Sequence, residues 1–395
     1  MDKIVVEDVW KVFGPSPQKA IEMMSKGHTK TEILEKTKNT IGVANVSFSV
    51  KEGEILVVMG LSGSGKSTLV RCLNRLIDPT SGKIYVGDID ITGLTPEQLR
   101  KFRLDHLSMV FQNFALFPHR TVLDNVGYGL EIQHVDAAKR REKSMEAIIQ
   151  VGLKGNEDSY PNQLSGGMQQ RVGLARALAL DADIMLMDEA FSALDPLIRS
   201  DMQDELLQLQ EAVQKTIVFI SHDLDEALKI GDRIVLMKDG YIVQSGTAEE
   251  ILTNPADEYV AKFVQDVDMA KVITAESVML KPKEMAYYET DGPKSALRKM
   301  KHSHISGIFV RKEKKLLGYV SADDALEAIK RGDSTLEKVL QADLETVSLD
   351  TPAVDIIPLL AHLHYPVPVV DEANRLRGVV IKGSLLAGLA ERGTD

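Results

Sequence analysis

The chain has 395 residues, of which 44% are hydrophobic and 27% charged. This length predicts two or three domains whose cores are large enough to fold without disulfide bonds. The composition excludes disorder over most of the chain. The single cysteine, Cys72, excludes an intramolecular disulfide and is compatible with a reducing compartment. A net charge of -11 argues against nucleic acid as a partner, because no basic stripe stands out against it.

The first feature in chain order is a charged insert, predicted over residues 15–41. Within it, Thr29 and Glu32 have the spacing of a helix capping box, and they precede the apolar pair Ile33 and Leu34. The pattern predicts a helical hairpin that lies on the core. The alternative is a surface elaboration with no role of its own.

From Ile55 onward, short apolar runs alternate with amphipathic stretches, as expected of buried strands joined by helices. Three such runs, at 55–59, 184–187 and 216–220, are each followed at once by polar or glycine-containing sequence. The predicted fold class is therefore α/β with a mainly parallel sheet. Ligands of such sheets bind beyond the carboxyl ends of the strands, so we expect a site there.

A glycine-rich loop of the form GxxxxGKS follows the first of these strands and precedes a helical stretch, which is the context of a P-loop. Its glycines allow successive amides to converge on a phosphate, while Lys66 adds a positive charge and the Ser67 hydroxyl is a ligand for Mg²⁺. The alternative is a loop without a ligand. The residues expected to bind ATP here are Gly60, Ser62, Gly63, Ser64, Gly65, Lys66, Ser67 and Thr68.

Polar groups end the other two strands. The run at 184–187 leads into Asp188 and Glu189, which we assign to Mg²⁺ binding and to general-base activation of water. His222 follows the third strand, where it can bond a γ-phosphate and sense its loss. Taken alone, each pattern is more often a strand meeting solvent or a surface histidine, and only the neighbouring P-loop favours the catalytic interpretation.

The motif LSGGMQQR identifies a family. Together with the P-loop and the Asp188–Glu189 pair, it resembles the signature of ABC transporter ATPase subunits, over about residues 3–265. The resemblance implies that Gln112 lies in a glutamine loop that reaches Mg²⁺, that Asp195 lies in the D-loop, and that Phe13, rather than Trp10, stacks on adenine. The signature residues, expected to expose a hydroxyl and amides to a partner's ATP, are Leu164, Ser165, Gly166, Gly167 and Gln169.

The same resemblance implies a homodimer in which two subunits pack head to tail, with ATP held between each P-loop and the partner's signature. The segment 113–119 would receive a coupling helix of an integral membrane permease, although a self-packed loop is the alternative. No stretch approaches the roughly 20 apolar residues of a membrane span. We therefore expect peripheral attachment at the cytoplasmic face of the cell membrane.

Residues 277–391 contain a weak repeat of period 60, in which Val310 corresponds to Val370 and Gly318 to Gly378. The repeats resemble CBS domains, which implies an adenine nucleotide or cyclic dinucleotide as ligand. Ser321 and Asp324 match the ribose-binding pattern of that family.

The second repeat departs from this pattern, since Ile381 and Ser384 stand at the corresponding positions, although Lys382 remains available for a phosphate. Sensing of ionic strength and simple structural dimerisation are the alternatives to a nucleotide ligand.

These patterns predict an ABC ATPase domain over 1–270 and CBS repeats over 271–334 and 335–395. The insert and the tandem repeats together resemble the ATPase of glycine betaine/proline betaine importers. We therefore expect ATP hydrolysis that powers the uptake of an osmoprotectant. The rival classes are a soluble ABC ATPase that acts on nucleic acid or ribosomes, and a nucleotide-sensing regulator without catalysis.

Overall fold

The computed structural model describes residues 1–265 and 267–390. The chain forms two compact units, Met1–Val267 and Asp268–Asp395. Within the described residues, no helix is both long and apolar enough to cross a membrane. The elements of the first unit, in chain order, are β1 (Asp2–Phe13), α1 (Pro17–Ser25), α2 (Lys30–Thr37), β2 (Thr40–Lys51), β3 (Ile55–Met59), α3 (Lys66–Leu73), β4 (Ser81–Val86), β5 (Ile89–Asp90), α4 (Pro96–His106), β6 (Leu107–Phe111), α5 (Val122–Val126), α6 (Tyr128–Ile132), α7 (Ala137–Gln150), α8 (Gly166–Ala179), β7 (Ile184–Asp188), α9 (Pro196–Val213), β8 (Thr216–Ile220), α10 (Leu224–Ile230), β9 (Arg233–Lys238), β10 (Tyr241–Gly246), α11 (Ala248–Thr253) and α12 (Glu258–Val264).

The six-stranded sheet of the first unit has the order β10-β9-β3-β8-β7-β6. All its neighbours are parallel except β10, which runs antiparallel to β9. Every residue of β3, β7 and β8 is buried, which explains their continuous apolar sequence. The predicted parallel α/β core is confirmed, and its three predicted strands lie side by side in the order β3-β8-β7.

A four-stranded sheet with the order β2-β1-β4-β5 forms a second layer. Apolar residues of β1 and β2, such as Ile4 and Val46, belong to one core with Leu69 of α3 and with Val58 and Val218 of the parallel sheet. This shared core fixes the antiparallel layer relative to the phosphate loop that leads into α3.

The insert forms the predicted helical hairpin, α1 and α2, between β1 and β2. The capping box is confirmed: the Glu32 amide donates to Thr29 Oγ1 at 3.3 Å, and the Thr29 amide donates to Glu32 Oε2 at 3.0 Å. Ala20, Met24 and Ile33 of the hairpin are buried in a small core that they share with residues of β1 and β2. The insert is therefore a packed part of this unit.

The second unit contains two similar halves. The elements of this unit are α13 (Ala275–Val278), β11 (Met285–Tyr287), α14 (Pro293–Ser303), β12 (Gly307–Lys312), β13 (Lys315–Ser321), α15 (Ala322–Arg331), α16 (Ala353–His362), β14 (Val367–Val370), β15 (Leu376–Val380) and α17 (Lys382–Ala390). The hairpin β12–β13 corresponds to β14–β15, in agreement with the period of 60 residues.

Backbone pairing links the two halves of the second unit reciprocally. Tyr319 in β13 exchanges two hydrogen bonds with Gln341, near the start of the second half, at 2.9 and 3.0 Å. Val379 in β15 does the same with Leu280, near the start of the first half, and both bonds are 2.9 Å long. Each half therefore completes the sheet of the other.

Candidate functional site

The predicted phosphate loop connects β3 to α3 at the carboxyl edge of the parallel sheet. Gly60 has φ +145° and Gly65 has φ +108°, a backbone region that favours glycine. A Cβ atom would lie 2.1 Å from the Met237 carbonyl oxygen at Gly60, and 2.2 Å from the Gly42 carbonyl oxygen at Gly65. Both glycines are required because other backbone segments approach the loop closely.

Lys66 is folded into this loop. Its Nζ donates to the carbonyl oxygens of Gly60, at 2.7 Å, and Leu61, at 3.2 Å. Burial lowers the pKa of the Lys66 ammonium, and the nearby Glu189 and Asp188 carboxylates oppose this effect. Ser64 Oγ is buried and has no hydrogen-bond partner within the part of the chain that the structure describes. A partly desolvated cation beside an unsatisfied hydroxyl is suited to a bound anion.

The two predicted carboxylates follow one another at the end of β7. Asp188 is buried, and its Oδ2 lies 3.5 Å from a terminal nitrogen of Arg71 in α3. Glu189 has a left-handed φ of +49°, and its amide donates to the Ile220 carbonyl oxygen at 3.2 Å. Glu189 Oε2 lies 3.3 Å from Nδ1 of His222. The structure thus brings the proposed base and the predicted histidine into direct contact.

Gln112 is connected to this group through a residue that sequence reasoning missed. Its Nε2 donates to Ser192 Oγ at 3.0 Å, and that hydroxyl donates to the Glu189 carbonyl oxygen at 2.9 Å. Ser192 lies in the stretch DEAFSALD, and the resemblance of this stretch to the family was the signal that could have identified it. The glutamine is therefore linked to the backbone of Glu189.

Arg199 in the first turn of α9 is a second missed residue. Its guanidinium lies 3.2 Å from an oxygen of Asp223, directly after His222, and donates to the Leu194 carbonyl oxygen at 3.2 Å. Asp195 caps α9 by accepting from the Ile198 amide at 3.1 Å. Arg199 thus joins the segment that contains Asp195 to the segment that contains His222.

One cavity of about 590 Å³ collects most of the predicted nucleotide-binding residues. Its size is within the range of small-molecule sites. Phe13, 41% exposed, contributes to its wall, and so do Thr40, Ile41 and Gly42, which sequence reasoning missed. The residues that line it are Phe13, Thr40, Ile41, Gly42, Leu61, Ser62, Gly63, Gly65, Lys66, Ser67, Thr68, Glu189 and His222. The cavity therefore offers an aromatic ring, a phosphate loop and a carboxylate together, which fits a nucleoside triphosphate.

The donors available to a divalent cation are few. Ser67 lines the cavity and Asp188 is the last residue of β7, whereas Gln112 is exposed. Among residues 1–265 and 267–390, no cluster of three or more His, Cys, Asp or Glu side chains is arranged for a metal. This sparse set fits Mg²⁺, which is commonly held by one or two carboxylates and by substrate phosphates.

The signature residues lie at the start of α8 and, as far as the structure describes the chain, contribute nothing to the cavity wall. Ser165 caps the helix, since its Oγ accepts from the Met168 amide at 3.3 Å, and both Ser165 and Gly166 are exposed. Gly167 differs from the expectation of an exposed amide: it is buried, and a Cβ there would lie 2.6 Å from Ile198 Cγ2.

The other two signature residues help to hold the turn before α8. Gln169 Nε2 donates to the carbonyl oxygens of Pro161, at 3.0 Å, and Leu164, at 3.2 Å, and Leu164 is itself buried. The exposed polar surface of the motif is therefore narrower than its sequence indicates.

The aromatic side chains of 113–119 are partly covered by their own surroundings. Phe114 and Phe117 are half-buried, and the Phe117 ring lies 4.6 Å from the Tyr128 ring, with the Arg120 guanidinium 5.5 Å from its centroid. The Phe117 backbone is held by the buried Asn125 side chain. Local packing therefore covers part of these rings, as the alternative of a self-packed loop predicts.

In the second unit, the predicted ribose-binding pair forms a helix cap. The Asp324 amide donates to Ser321 Oγ at 3.1 Å, and that hydroxyl donates to Asp324 Oδ2 at 2.6 Å. Both residues are half-buried or exposed, and Lys382 is exposed at the start of α17. In the second half, Ser384 Oγ accepts from the Ile381 amide at 3.2 Å.

Comparisons with known proteins agree with this geometry. The family model "ABC transporter" matches residues 43–192, and the model "CBS domain" matches residues 275–331 and 336–391. A dimeric structure of a post-hydrolysis state of the ATP-binding cassette MJ0796 bound to ADP and Pi is 32% identical, with a TM-score of 0.53. It covers 62% of this chain and 98% of its own.

Full-length relatives are more similar. The Glycine betaine transport ATP-binding protein OpuAA of Bacillus subtilis is 56% identical over 98% of this chain and 92% of its own length. The Glycine betaine/carnitine transport ATP-binding protein GbuA of Listeria monocytogenes is 53% identical over 99% of this chain and 98% of its own. The Glycine betaine/proline betaine transport system ATP-binding protein ProV of Escherichia coli is 46% identical over 100% of this chain and 99% of its own length. The chain therefore belongs to the ABC transporter ATP-binding proteins, in the family that contains these betaine transport subunits.

Proposed function

We propose that the chain binds and hydrolyses ATP in the cavity described above, and so drives import of a quaternary amine such as glycine betaine or proline betaine. The supporting observation is that a single cavity contains Phe13, the phosphate loop, Glu189 and His222. The names of the full-length relatives describe transport subunits, which favours this function over action on nucleic acid.

In this proposal, Phe13 stacks on adenine and Lys66 neutralises the β- and γ-phosphate oxygens. Ser67, Asp188 and Gln112 would hold Mg²⁺, which neutralises charge on the phosphates when bound. Glu189 accepts a proton from a water molecule as its oxygen attacks the γ-phosphorus, and the bond to the β-phosphate oxygen breaks to give ADP and phosphate. The left-handed backbone of Glu189 and its contact with His222 hold the carboxylate at the cavity.

The signature requires a second copy of the chain in this proposal. Ser165 and Gly166 are exposed and lie outside the cavity wall, and in this proposal they would meet the γ-phosphate bound by a partner. The amino end of α8 favours an anion there. ATP would then hold two subunits together, and hydrolysis would release them. An integral membrane permease, contacted through 113–119, would convert this motion into transport at the cytoplasmic face of the membrane.

The test is uptake into vesicles that contain the chain and its permease. ATP should drive accumulation of labelled glycine betaine or proline betaine, and Lys66→Ala should abolish it. Lys36→Ala, at an exposed lysine of α2, is the matched control and should retain uptake. Equal uptake by the Lys66 and Lys36 variants would contradict the proposal. Competition by choline, carnitine and proline would rank the possible cargoes.

For the second unit, we propose an adenine nucleotide or cyclic dinucleotide as a regulatory ligand, with Ser321 and Asp324 facing a ribose and Lys382 a phosphate. Support comes from the CBS match and from the position of the Ser321–Asp324 pair at a helix start. Equilibrium dialysis of the full chain should show a ligand that the Ser321→Ala/Asp324→Ala variant loses. If regulation by nucleotide persists in that variant, the assignment fails.

A further inference from the structure

The helical insert begins and ends at the adenine end of the cavity. Phe13, the last residue of β1, pairs directly with Thr40, the first residue of β2, and the insert occupies the connection between them. Adjacent antiparallel strands need only a two-residue turn. The longer connection therefore adds structure at a place where both flanking strands supply residues to the cavity wall.

Asn39 joins the two ends of this insert. It is fully buried, its Oδ1 accepts from the Ser16 amide at 3.0 Å, and its Nδ2 donates to the carbonyl oxygens of Ser16, at 3.1 Å, and Thr37, at 3.3 Å. One side chain thus satisfies backbone groups from the entry and from the exit of the hairpin. Its loss would remove all three of these hydrogen bonds, and of the groups involved the Ser16 carbonyl oxygen would keep a bond from the Ala20 amide at 3.4 Å.

The backbone next to Phe13 is in close contact with this side chain. Gly14 has φ +131°, and a Cβ there would lie 2.3 Å from Asn39 Oδ1 and 2.8 Å from the Lys38 carbonyl oxygen. The residue after Phe13 is therefore held against Asn39. Displacement of Asn39 changes the position at which β1 ends, and with it the position of the aromatic ring.

Packing of the insert acts on the same strands. Ala20, Met24 and Ile33 of the hairpin pack with Val12 and Ile41, the immediate neighbours of Phe13 and Thr40. Trp10 packs at the edge of this small core and, among the described residues, is not one of those that line the cavity. The hairpin therefore packs against the ends of β1 and β2, and these strand ends form the adenine side of the cavity.

We infer that the insert is a clamp that positions the adenine wall, and that Asn39 is the positioning residue that closes it. The clamp sets the affinity for the nucleoside part of the substrate and leaves the phosphate loop unchanged. This inference rests on the proposed placement of adenine beside Phe13. It assigns the insert a role in nucleotide recognition, in contrast to a surface elaboration without a role.

The experiment compares two ligands in the full-length protein, with Mg²⁺ present. Calorimetry measures the affinity for ATP and for inorganic tripolyphosphate, which has no base or sugar. The variants are Asn39→Ala and Asn39→Asp, with Glu35→Ala, at an exposed position of α2, as the control. Asp keeps the acceptor for the Ser16 amide but places a carboxylate against two carbonyl oxygens, so it should be at least as harmful as Ala.

Phe13→Ala gives the reference effect on ATP affinity, because loss of aromatic stacking on a base corresponds to roughly a 5- to 150-fold change in affinity. Both Asn39 variants should weaken ATP binding at least about threefold and no more than Phe13→Ala does. They should leave tripolyphosphate binding unchanged. Glu35→Ala should change neither. Thermal unfolding and the emission of Trp10, the single tryptophan, show whether the insert remains packed in each variant.

The remaining outcomes separate the clamp from the proposed function. If Phe13→Ala selectively weakens ATP binding and the Asn39 variants do not, the clamp is overturned alone, even when Trp10 emission shifts. If the Asn39 variants weaken both ligands equally, the insert acts on the whole fold and the clamp is likewise overturned. If Phe13→Ala has no selective effect, the placement of adenine is wrong, and the clamp is overturned with it.

Discussion

Replacing Glu189 by glutamine tests the chemical step of the proposed mechanism. Glutamine has the same length, tolerates the same backbone φ of +49° and can still contact His222, but it does not accept a proton from water. Loss of a general base reduces the rate about 10²- to 10⁴-fold. At 1.36 kcal/mol per tenfold change, this corresponds to a barrier increase of about 2.7–5.4 kcal/mol.

The same substitution should leave folding and nucleotide binding nearly unchanged. The Glu189 and His222 side chains are 21% and 56% exposed, so solvent weakens the contact between them and its change should alter stability little. The assays are phosphate release in a single turnover, ATP affinity by calorimetry and thermal unfolding, with Glu35→Gln as the control. A Glu189→Gln variant that retains more than a tenth of the parental turnover would refute the assignment of the base.

Two further predictions concern the phosphate loop and the buried thiol. Gly60→Ala places a methyl group 2.1 Å from the Met237 carbonyl oxygen, so it should displace the loop and weaken ATP binding more than tenfold; Gly93→Ala, where a Cβ meets nothing within 4 Å, should bind normally. Burial raises the pKa of the Cys72 thiol to about 12, whereas the unfolded thiol titrates near ~8.5. Denaturant titrations should therefore show the free energy of unfolding falling as pH rises from about 9 toward 12. A Cys72→Ala variant should show a smaller fall, and part of it should remain because burial also raises the pKa of Tyr241 and Tyr319.

Local sequence alone determined the phosphate loop and the strands around it. The GxxxxGKS segment and its flanking strand and helix are contiguous, so their geometry follows from glycine conformations and from the hydrophobic pattern. The period of 60 residues likewise fixed the correspondence between β12–β13 and β14–β15. The Thr29–Glu32 capping box was predictable because both partners lie within one helical turn.

Contacts between distant segments were decided only by the tertiary structure. Arg199 meets Asp223 and Ser192 meets Gln112 because β7, β8 and β6 place their carboxyl ends at one edge of the sheet. No pattern in the separate segments specifies those pairs. The partial burial of Phe117 against Tyr128 is equally a result of packing that an apolar sequence cannot reveal.

The insert shows the same division. Its sequence specified two helices, because caps and apolar spacing are local properties. The clamp depends on Asn39 lying beside Ser16 and Gly14, and this position requires β1 and β2 to pair in register. The order of side chains along the sequence thus determined which helices and strands form and which kind of substrate the motifs suit. Strand pairing and packing determined which residues meet around that substrate.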